Sequence, residues 1–592
     1  MKKRICCLTV TAVSFFSAGE TIYATTSNIL MRGAGYVGLS VYMNIRLATA
    51  FLLLSFVSFG QNPQQSLSSD IEIRNLATTC KVWGYLKYYH PNVANGKQNW
   101  DNELIKILPS VRQSSQIDLN GKYSSWINGL GEVKVCRNCT AIDKDAFIKN
   151  FNLSWISDQS VFSESLISKL KNIEKNRFQG KGYYVTGAPN VGNIIVQNEQ
   201  NYANPDFPEE HIRLLSLFRF WNIIEYFYPY KYLTDQNWDK VLLEMIPKFR
   251  DANSASQYQL AMLEIACKLD DGHGVFKTEM TTSFFGRQFI PAKLKIIDGK
   301  AVVTGFYNDS LAKIDNLKIG DVIESLDGKN VSEILKDKLI FLKGSNYSSK
   351  LRDSYYAVAN GNTAEITAMI GNNGVFDKRL LHRYPYEQIF KKNATSPKYK
   401  IFEGNIGYIN LAEVTERDLK EVMDKVLDSK AIIIDVRNYP TFLLYDLAKY
   451  FLSDKKNFAK IIVPDLSYPG IFKWEDGKKV GASGNSKVFA GKLIILVNEF
   501  TQSRGEFTAM ALQAVPLSIT IGNQTAGADG NVSKAHFVSY SAAMSGTGVF
   551  YPDGSETQRK GLHIDVNVVQ TIDGIKAGRD EILEKALEYL KS

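Results

Sequence analysis

KLIILVNEFTQSRGEFTAMALQ, residues 492–513, is the stretch of sequence that decides how the C-terminal part of this chain folds. Its apolar start is typical of a buried strand, and the small and apolar residues that alternate from Glu506 onward are typical of a helix. Ser503 lies in the polar turn between them. The N–H groups that begin a helix have no partner within it, so a serine here can act as a nucleophile with an oxyanion hole beside it. Most serines in such turns only cap the helix, and this stretch alone leaves both interpretations open.

Strand-like and helix-like segments alternate on both sides of this stretch, from about residue 400 to the end of the chain. Such alternation predicts a parallel sheet with helices packed on its faces, so we expect an α/β domain over residues 395–592. The strands are predicted at 406–412, 431–438, 492–497 and 517–522, and the helices at 415–430 and 579–592.

Residues 281–380 contain shorter β-like runs, which predict a separate β domain. The motif IGDVI (319–323), followed by LDGK (326–329), resembles the core hairpin of a PDZ domain. This resemblance implies a domain that captures extended peptide ends by adding them to the edge of its sheet.

An internal repeat fills much of the N-terminal half. Residues 76–110 match residues 214–248 at a constant offset of 138, so that Trp83 pairs with Trp221. Each copy predicts an aromatic helix, a turn at a proline and a second helix. We therefore expect two related helical units, at 61–200 and 201–280. The aromatic stripe is typical of a helix–helix core, although a ligand groove would show the same pattern.

The start of the chain predicts export. Residues 1–24 and 43–61 each combine a basic start with a short apolar run, and the second run is too short to span a bilayer but suits a signal peptide. We interpret 1–60 as a leader and Met43 as its true start, with a genuine 60-residue leader as the alternative; in either case we expect a mature, exported protein that begins near Gln61. It would be periplasmic, attached to the cell envelope or secreted, with no stable membrane span after the leader is removed.

Composition and cysteine spacing narrow the function further. The net charge of +9 comes without a stripe of basic and aromatic residues, so nucleic-acid binding is not predicted. The motif HExxH is absent, and neither a metal nor a cofactor is predicted. Cys136 and Cys139 form a CxxC pair without a second pair or nearby histidine, which favours a local disulfide over a zinc site or free thiols.

The turn at Ser503 resembles the nucleophile region of the C-terminal processing peptidases, because Glu506 and TAGADG (525–530) follow it. In members that use a Ser–Lys pair, the lysine would fall at position 528, which is Ala528 here. The chain is therefore more similar to the tricorn-like branch, in which a distant upstream histidine is the base. LDDGHGVF (269–276) supplies His273 in that setting.

This resemblance implies a multidomain α+β protein with an N-terminal helical repeat region, a PDZ-like β domain and a crotonase-like α/β catalytic domain. It implies a serine endopeptidase that cleaves a peptide or protein substrate through an acyl-enzyme, and it is compatible with a homo-oligomer. Ser503 would be the nucleophile and His273 the general base, while His536 and His563 stay open as alternative bases.

The same resemblance assigns the remaining site residues. Glu556 would orient the imidazole as the third member, with Gln558 and Asp553 as alternatives. The oxyanion hole would use the N–H of Arg504 and a second donor near Tyr439.

Two departures keep other functions open. The loop DVRNYPTF (435–442) lacks the glycines that the family often carries there, and Pro440 has no N–H to give. A catalytically inactive protein that binds a peptide or apolar ligand on the same scaffold is therefore the alternative. An esterase of the α/β-hydrolase class would need GxSxG, whereas Ser503 lies in TQSRG (501–505).

Overall fold

The computed structural model describes residues 63–592, apart from 138, 140, 373, 391–395, 485–487 and 592. Asp70–Ser592 form one compact unit. The predicted leader at 1–60 lies outside the described residues. None of the described helices is long and apolar enough to cross a membrane.

Each copy of the repeat folds as two helices that a pair of tryptophans holds together. The indole Nε1 of Trp83 donates to the carbonyl of Trp100 at 3.0 Å, and Trp100 donates back to Trp83 at 2.9 Å. Trp221 and Trp238 make the same two bonds in the second copy, at 2.9 and 3.1 Å. All four rings are buried. The aromatic stripe is therefore helix–helix core, and the ligand-groove alternative is wrong for these rings.

The two copies contact each other through equivalent residues. Lys81 of the first copy pairs with Asp239 of the second at 3.1 Å, and Arg219, which is equivalent to Lys81, pairs with Asp101, which is equivalent to Asp239. The helices cross where Gly84 lies against its equivalent, Asn222. The helical elements of this region are α1 (Pro63–Tyr89), α2 (Pro91–Ala94), α3 (Trp100–Val111), α4 (Gln116–Gly129), α5 (Glu164–Lys175), α6 (Glu210–Phe227), α7 (Trp238–Arg250), α8 (Ala255–Cys267) and α9 (Glu279–Phe285), with 3₁₀ turns at Ser154–Ser157 and Lys231–Leu233 and a hairpin of β1 (Val185–Gly187) and β2 (Ile194–Val196).

The crossing at Gly84 makes a testable prediction about stability. A Cβ at position 84 would collide with the carboxamide of Asn222, so Gly84→Ala is expected to lower the free energy of unfolding by about 1–3 kcal/mol. Gly121→Ala in α4 is the matched control, because a Cβ there meets open space. Urea unfolding of both variants checks this. When Asn222→Ala is combined with Gly84→Ala, part of the lost free energy of unfolding should be restored. An equal effect of the two glycine changes would contradict the crossing.

The predicted β domain is an antiparallel sheet with its own hydrophobic core. Its strands are ordered β4-β5-β6-β8-β9, and β7 pairs with β6. The core consists of residues from both the sheet and its helices, among them Ile323, Leu326 and Ile370. The elements are β3 (Gln288–Phe289), β4 (Ala292–Ile297), β5 (Lys300–Phe306), α10 (Asp309–Ile314), β6 (Val322–Leu326), β7 (Lys329–Asn330), α11 (Val331–Lys338), α12 (Tyr347–Arg352), α13 (Tyr355–Ala359), β8 (Glu365–Asn372), β9 (Val375–His382), β10 (Tyr384–Pro385) and α14 (Tyr386–Ile389), with a 3₁₀ turn at Leu339–Phe341.

The C-terminal part is the predicted α/β layer. Its six strands are ordered β11-β12-β13-β17-β18-β22, and all pairs are parallel except β11 with β12. Apolar residues from α17 cover one face, and those from α19 cover the other. The elements are β11 (Tyr399–Phe402), β12 (Ile406–Asn410), α15 (Leu419–Val426), β13 (Ala431–Asp435), α16 (Leu444–Ala448), β17 (Lys492–Val497), α17 (Arg504–Gln513), β18 (Ile519–Gly522), β22 (Val566–Asn567), α18 (Ile572–Lys576) and α19 (Glu581–Lys591), with a 3₁₀ turn at Leu411–Glu413.

Two small antiparallel sheets, which the sequence did not predict in detail, link this layer to the helical region. Phe537 stacks on Phe220 of α6 with ring centroids 4.2 Å apart, and Phe472 bridges to Phe147. The predicted disulfide between Cys136 and Cys139 is confirmed. The linking strands are β14 (Lys456–Pro464), β15 (Phe472–Trp474), β16 (Lys478–Val480), β19 (Val532–His536), β20 (Ser541–Ser545) and β21 (Gly548–Phe550).

Candidate active site

Ser503 stands at the carboxyl edge of the parallel sheet, between the end of β17 and the start of α17. Its backbone has φ +54° and ψ −120°, a left-handed conformation that costs energy for a residue with a side chain. The Ser503 N–H donates to the carbonyl of Ala528 at 2.8 Å, and Thr501 accepts from the N–H of Ala526 at 3.0 Å. The segment after β18 therefore holds this strained turn in place.

A buried carboxyl group organises the same turn. Glu506 accepts from the N–H groups of Gly527, Ala528 and Ser503 at 2.8, 2.9 and 3.3 Å, and from the hydroxyl of Thr525. Burial raises the pKa of Glu506, against the lowering effect of these donors. Ala528, which occupies the position of the family's lysine, is fully buried. The Ser503 turn thus has no amine base at that position.

His273 lies on a turn after α8, where two residues fix its tautomer. Its Nδ1 is 3.0 Å from the hydroxyl oxygen of Ser545, which itself donates to Asp271 Oδ1 at 3.1 Å. Because that hydroxyl has one proton and gives it to Asp271, it must accept from an Nδ1–H of His273. The Nε2 atom then carries the free lone pair. Burial lowers the pKa of His273, which keeps the ring neutral at neutral pH.

The turn that carries His273 packs directly on the turn that carries Ser503. A Cβ added to Gly272 would lie 2.8 Å from the Cβ of Ala528 and 3.4 Å from the carboxamide of Gln502. His273 Nε2 is buried and has no hydrogen-bond partner among the described residues, so Ser503 and His273 are not bonded to each other here. Such a bond commonly tightens only when substrate binds.

Glu556, the expected third member, makes its described contacts with other residues. Its carboxylate accepts from Lys149 at 2.7 Å, from Lys560 at 3.2 Å and from the hydroxyl of Tyr232 at 3.0 Å. These partners occupy the group, and the acid beside the His273 ring is Asp271, with 3.7 Å between Nδ1 and Oδ1.

The other candidates for the orienting group also have defined places. Asp553 accepts from Ser555 on a hairpin turn. Gln558 is buried, and its Nε2 lies 3.4 Å from the hydroxyl of Ser345, which accepts from the N–H of Gly272 at 2.7 Å. Gln558 is thus connected to the His273 turn through one serine, but among the described residues it makes no hydrogen bond to the imidazole.

The alternative bases fit less well than His273. The side chain of His563 is 74% exposed and lies 3.3 Å from Asp565. His536 ends strand β19, and burial lowers its pKa. Neither makes a hydrogen bond to the Ser503 turn among the described contacts.

Sequence reasoning missed Asp271 and Ser545. Asp271 carried a signal, because it lies two residues before His273 and such acids bind the following N–H groups; it accepts the N–H of His273 at 3.0 Å. Ser545 carried none, since the β19–β20 hairpin brings it to the imidazole from a distant part of the chain.

A cavity of about 500 Å³ opens beside Ser503. Arg504 and Tyr439, the two expected oxyanion residues, line it together with Ser503. Arg504 is the first residue of α17, so its N–H belongs to the group without a partner inside the helix. Its guanidinium lies 5.3 Å from the ring centroid of Tyr439 and 5.6 Å from that of Phe442. The structure therefore brings the predicted nucleophile and both predicted oxyanion residues to one cavity.

Comparison with known proteins gives a family match for part of the chain. Residues 405–568 match the model of peptidase family S41. The tail-specific protease of Haemophilus influenzae is 26% identical over 262 residues, which are 42% of this chain and 34% of that protein. The chain thus matches about a third of the length of this curated relative.

Solved structures of peptidases share limited similarity with this chain. Mature CPAF complexed with lactacystin is 14% identical over 64% of this chain and 98% of that one, with a TM-score of 0.48. The photosystem II D1 C-terminal processing protease is 17% identical over 64% of this chain and 99% of that one, with a TM-score of 0.36. The tricorn protease is 14% identical over 71% of this chain and 42% of that one, with a TM-score of 0.31.

The family resemblance seen in the sequence is thus confirmed for the segment that contains Ser503. The family whose model this segment matches, over residues 405–568, is peptidase family S41.

Proposed function

We propose that the protein is a serine endopeptidase in which Ser503 is the nucleophile and His273 the general base. The observation that supports this most strongly is the chain of hydrogen bonds from His273 Nδ1 through Ser545 to Asp271, which leaves Nε2 as the acceptor. A serine hydroxyl needs such an acceptor at neutral pH, and the two turns pack against each other.

The proposed reaction begins with attack of Ser503 Oγ on the carbonyl carbon of the peptide bond, while its proton moves to His273 Nε2. The N–H of Arg504 stabilises the oxyanion, and a donor near Tyr439 would be the second one. As the tetrahedral intermediate collapses, the imidazolium protonates the leaving amine. Water then hydrolyses the acyl-enzyme with His273 again acting as the base.

In this proposal Asp271 takes the orienting role that the sequence assigned to Glu556. Its carboxylate stabilises the imidazolium through the hydroxyl of Ser545, since the two share a hydrogen bond of 3.1 Å. The buried position of Asp271 makes that effect stronger than it would be in water.

This assignment predicts different outcomes for two acidic residues. Asp271→Asn is expected to lower kcat by about 10²–10⁴-fold, because the orienting hydrogen bonds change and the imidazolium loses its counter-charge. Glu556→Gln, the matched control, should stay within about threefold of the wild type, since its lysine partners Lys149 and Lys560 are exposed and ion pairs with exposed partners contribute little. Peptide hydrolysis, with thermal unfolding as a check of folding, measures both. A large loss in Glu556→Gln alone would restore the original assignment.

The substrate would be an extended peptide or an unfolded protein. Apolar and aromatic side chains in the cavity wall, among them Phe442, Tyr445, Phe507 and Val549, offer a place for a side chain next to the cleaved bond. The antiparallel sheet has β4 and β9 at its edges, and we propose that this PDZ-like region docks the peptide by strand addition. The crotonase-like assignment of the α/β layer is part of the same proposal.

We also propose that the protein works outside the cytoplasm. The disulfide between Cys136 and Cys139 is of a kind that persists in oxidising compartments. The signal-like run at 43–61 points the same way.

Digestion of an unfolded, alkylated protein by the chain from Gln61 tests this function. Internal cleavage that mass spectrometry maps, and that disappears in Ser503→Ala, is the expected result.

Pro440, which lacks an N–H in the loop beside the cavity, favours an inactive binding protein as the second candidate. If the unfolded substrate protein stays uncleaved and the folded chain binds peptide stoichiometrically, the inactive binding protein is the supported candidate.

A further inference from the structure

Asp529 is a buried acid in the wall of the cavity beside Ser503, and the reaction above does not use it. Asp529 is the residue after Ala528 in the chain, and the carbonyl of Ala528 accepts the Ser503 N–H at 2.8 Å. Asp529 is 4% exposed and lines the same cavity as Ser503. Its Oδ1 accepts from the N–H of Gly530 at 2.7 Å, whereas Oδ2 is buried and has no hydrogen-bond partner among the described residues.

The surroundings of Asp529 disfavour its charged form. Burial raises the pKa of Asp529 well above its usual range, and the neighbouring carboxyl of Glu506 raises it further. Tyr230, from the helical region, is the other titratable group that interacts with it, and it brings no positive charge. Burial without a cation partner favours the protonated form of a carboxyl group over the ionised form.

The other charged residues of the cavity, Arg504, Lys478 and Glu475, do not supply a cation partner for Asp529. The guanidinium of Arg504 lies over the rings of Tyr439 and Phe442. Lys478 pairs with Glu475 at 2.9 Å. Asp529 forms no ion pair with either cation among the described contacts, so a proton on its carboxyl is the remaining way to neutralise it.

We propose that Asp529 binds the substrate as a neutral carboxylic acid, with its Oδ2 hydroxyl donating a hydrogen bond to a carbonyl oxygen of the peptide bound at Ser503. Oδ1 already accepts from Gly530, so the proton belongs on Oδ2, the oxygen without a partner. A carboxylate at the same place could only accept, and it would repel a carbonyl oxygen. This inference rests on the proposed function, and it adds a donor that neither Arg504 nor Tyr439 supplies.

The proposal predicts that activity falls at alkaline pH. The donating form is present below the raised pKa of Asp529 and is lost as the pH rises through it. We expect kcat/KM for a model peptide to fall there in the wild type. In Asp529→Asn, whose amide donates without titrating, this fall should be absent.

A comparison of the wild type, Asp529→Asn and Asp529→Leu over a range of pH tests the proposal. Asp529→Asn is expected to keep activity within about threefold of the wild type, and Asp529→Leu, which is similar in size but has no donor, to lose about 10- to 100-fold in kcat/KM. An equal loss in both variants would overturn the proposal. So would an alkaline fall that persists in Asp529→Asn, and this readout does not depend on whether the leucine variant folds.

Labelling of Ser503 by a fluorophosphonate separates this proposal from the function on which it rests. A folded wild type that stays unlabelled contradicts the proposed peptidase. A wild type that labels and hydrolyses peptide, while Asp529→Leu matches it in kcat/KM, contradicts only the role of Asp529.

Discussion

Replacing Ser503 by alanine is expected to reduce peptide hydrolysis by about 10⁴-fold or more. The change removes the only atom that forms the acyl bond, whereas the carboxyl group of Glu506 and the carbonyl of Ala528 still hold the backbone of the turn. Initial rates with a fluorogenic peptide measure the effect.

Ser483→Ala is the matched control for this change. Ser483 lies in the same domain, in GASGN (481–485), and is exposed. Its replacement should leave the rate unchanged. Comparable activity of Ser503→Ala and the wild type would show that another group carries the reaction.

Replacing His273 by alanine is expected to cost about 10³–10⁵-fold in kcat, because Ser503 then loses the acceptor of its proton. His563→Ala is the control, since the side chain of His563 is 74% exposed and pairs with Asp565. A loss of kcat confined to His563→Ala would leave the enzyme class unchanged and would show that His563, not His273, is the general base.

The pH profile gives a second readout of the same residue. The base acts only as the neutral imidazole, which is present above the pKa of His273 and lost below it. Burial lowers this pKa from its usual value, so the acid-side fall in kcat/KM should lie below about pH 6.5. A fall centred above that value would contradict the buried position of the base.

Local sequence patterns were sufficient to predict the α/β layer. The strand expected at 492–497 is β17, Lys492–Val497, and the helix expected from Glu506 is α17, which begins at Arg504. Buried parallel strands are continuous apolar runs with helices between them, and this pattern is readable in one chain. The repeat was readable for a similar reason, because its paired tryptophans keep the same spacing in both copies.

The third member of the site could not be predicted in the same way. The family resemblance implies Glu556 for this role, but the fold gives its carboxylate to Lys149, Lys560 and Tyr232. Ser545 reaches His273 only because β20 pairs with β19. Contacts between residues so far apart in sequence depend on tertiary packing, and a single sequence carries little trace of them.

Fluorophosphonate labelling followed by tryptic mapping shows whether Ser503 is the nucleophile. Cleavage after Lys492 and Arg504 releases LIILVNEFTQSR (493–504), in which Ser503 is the only serine. We predict a phosphonyl adduct on Ser503 in the wild type and none in His273→Ala under the same conditions. A folded wild-type chain with no adduct on this peptide, or an adduct on a serine elsewhere, would contradict it.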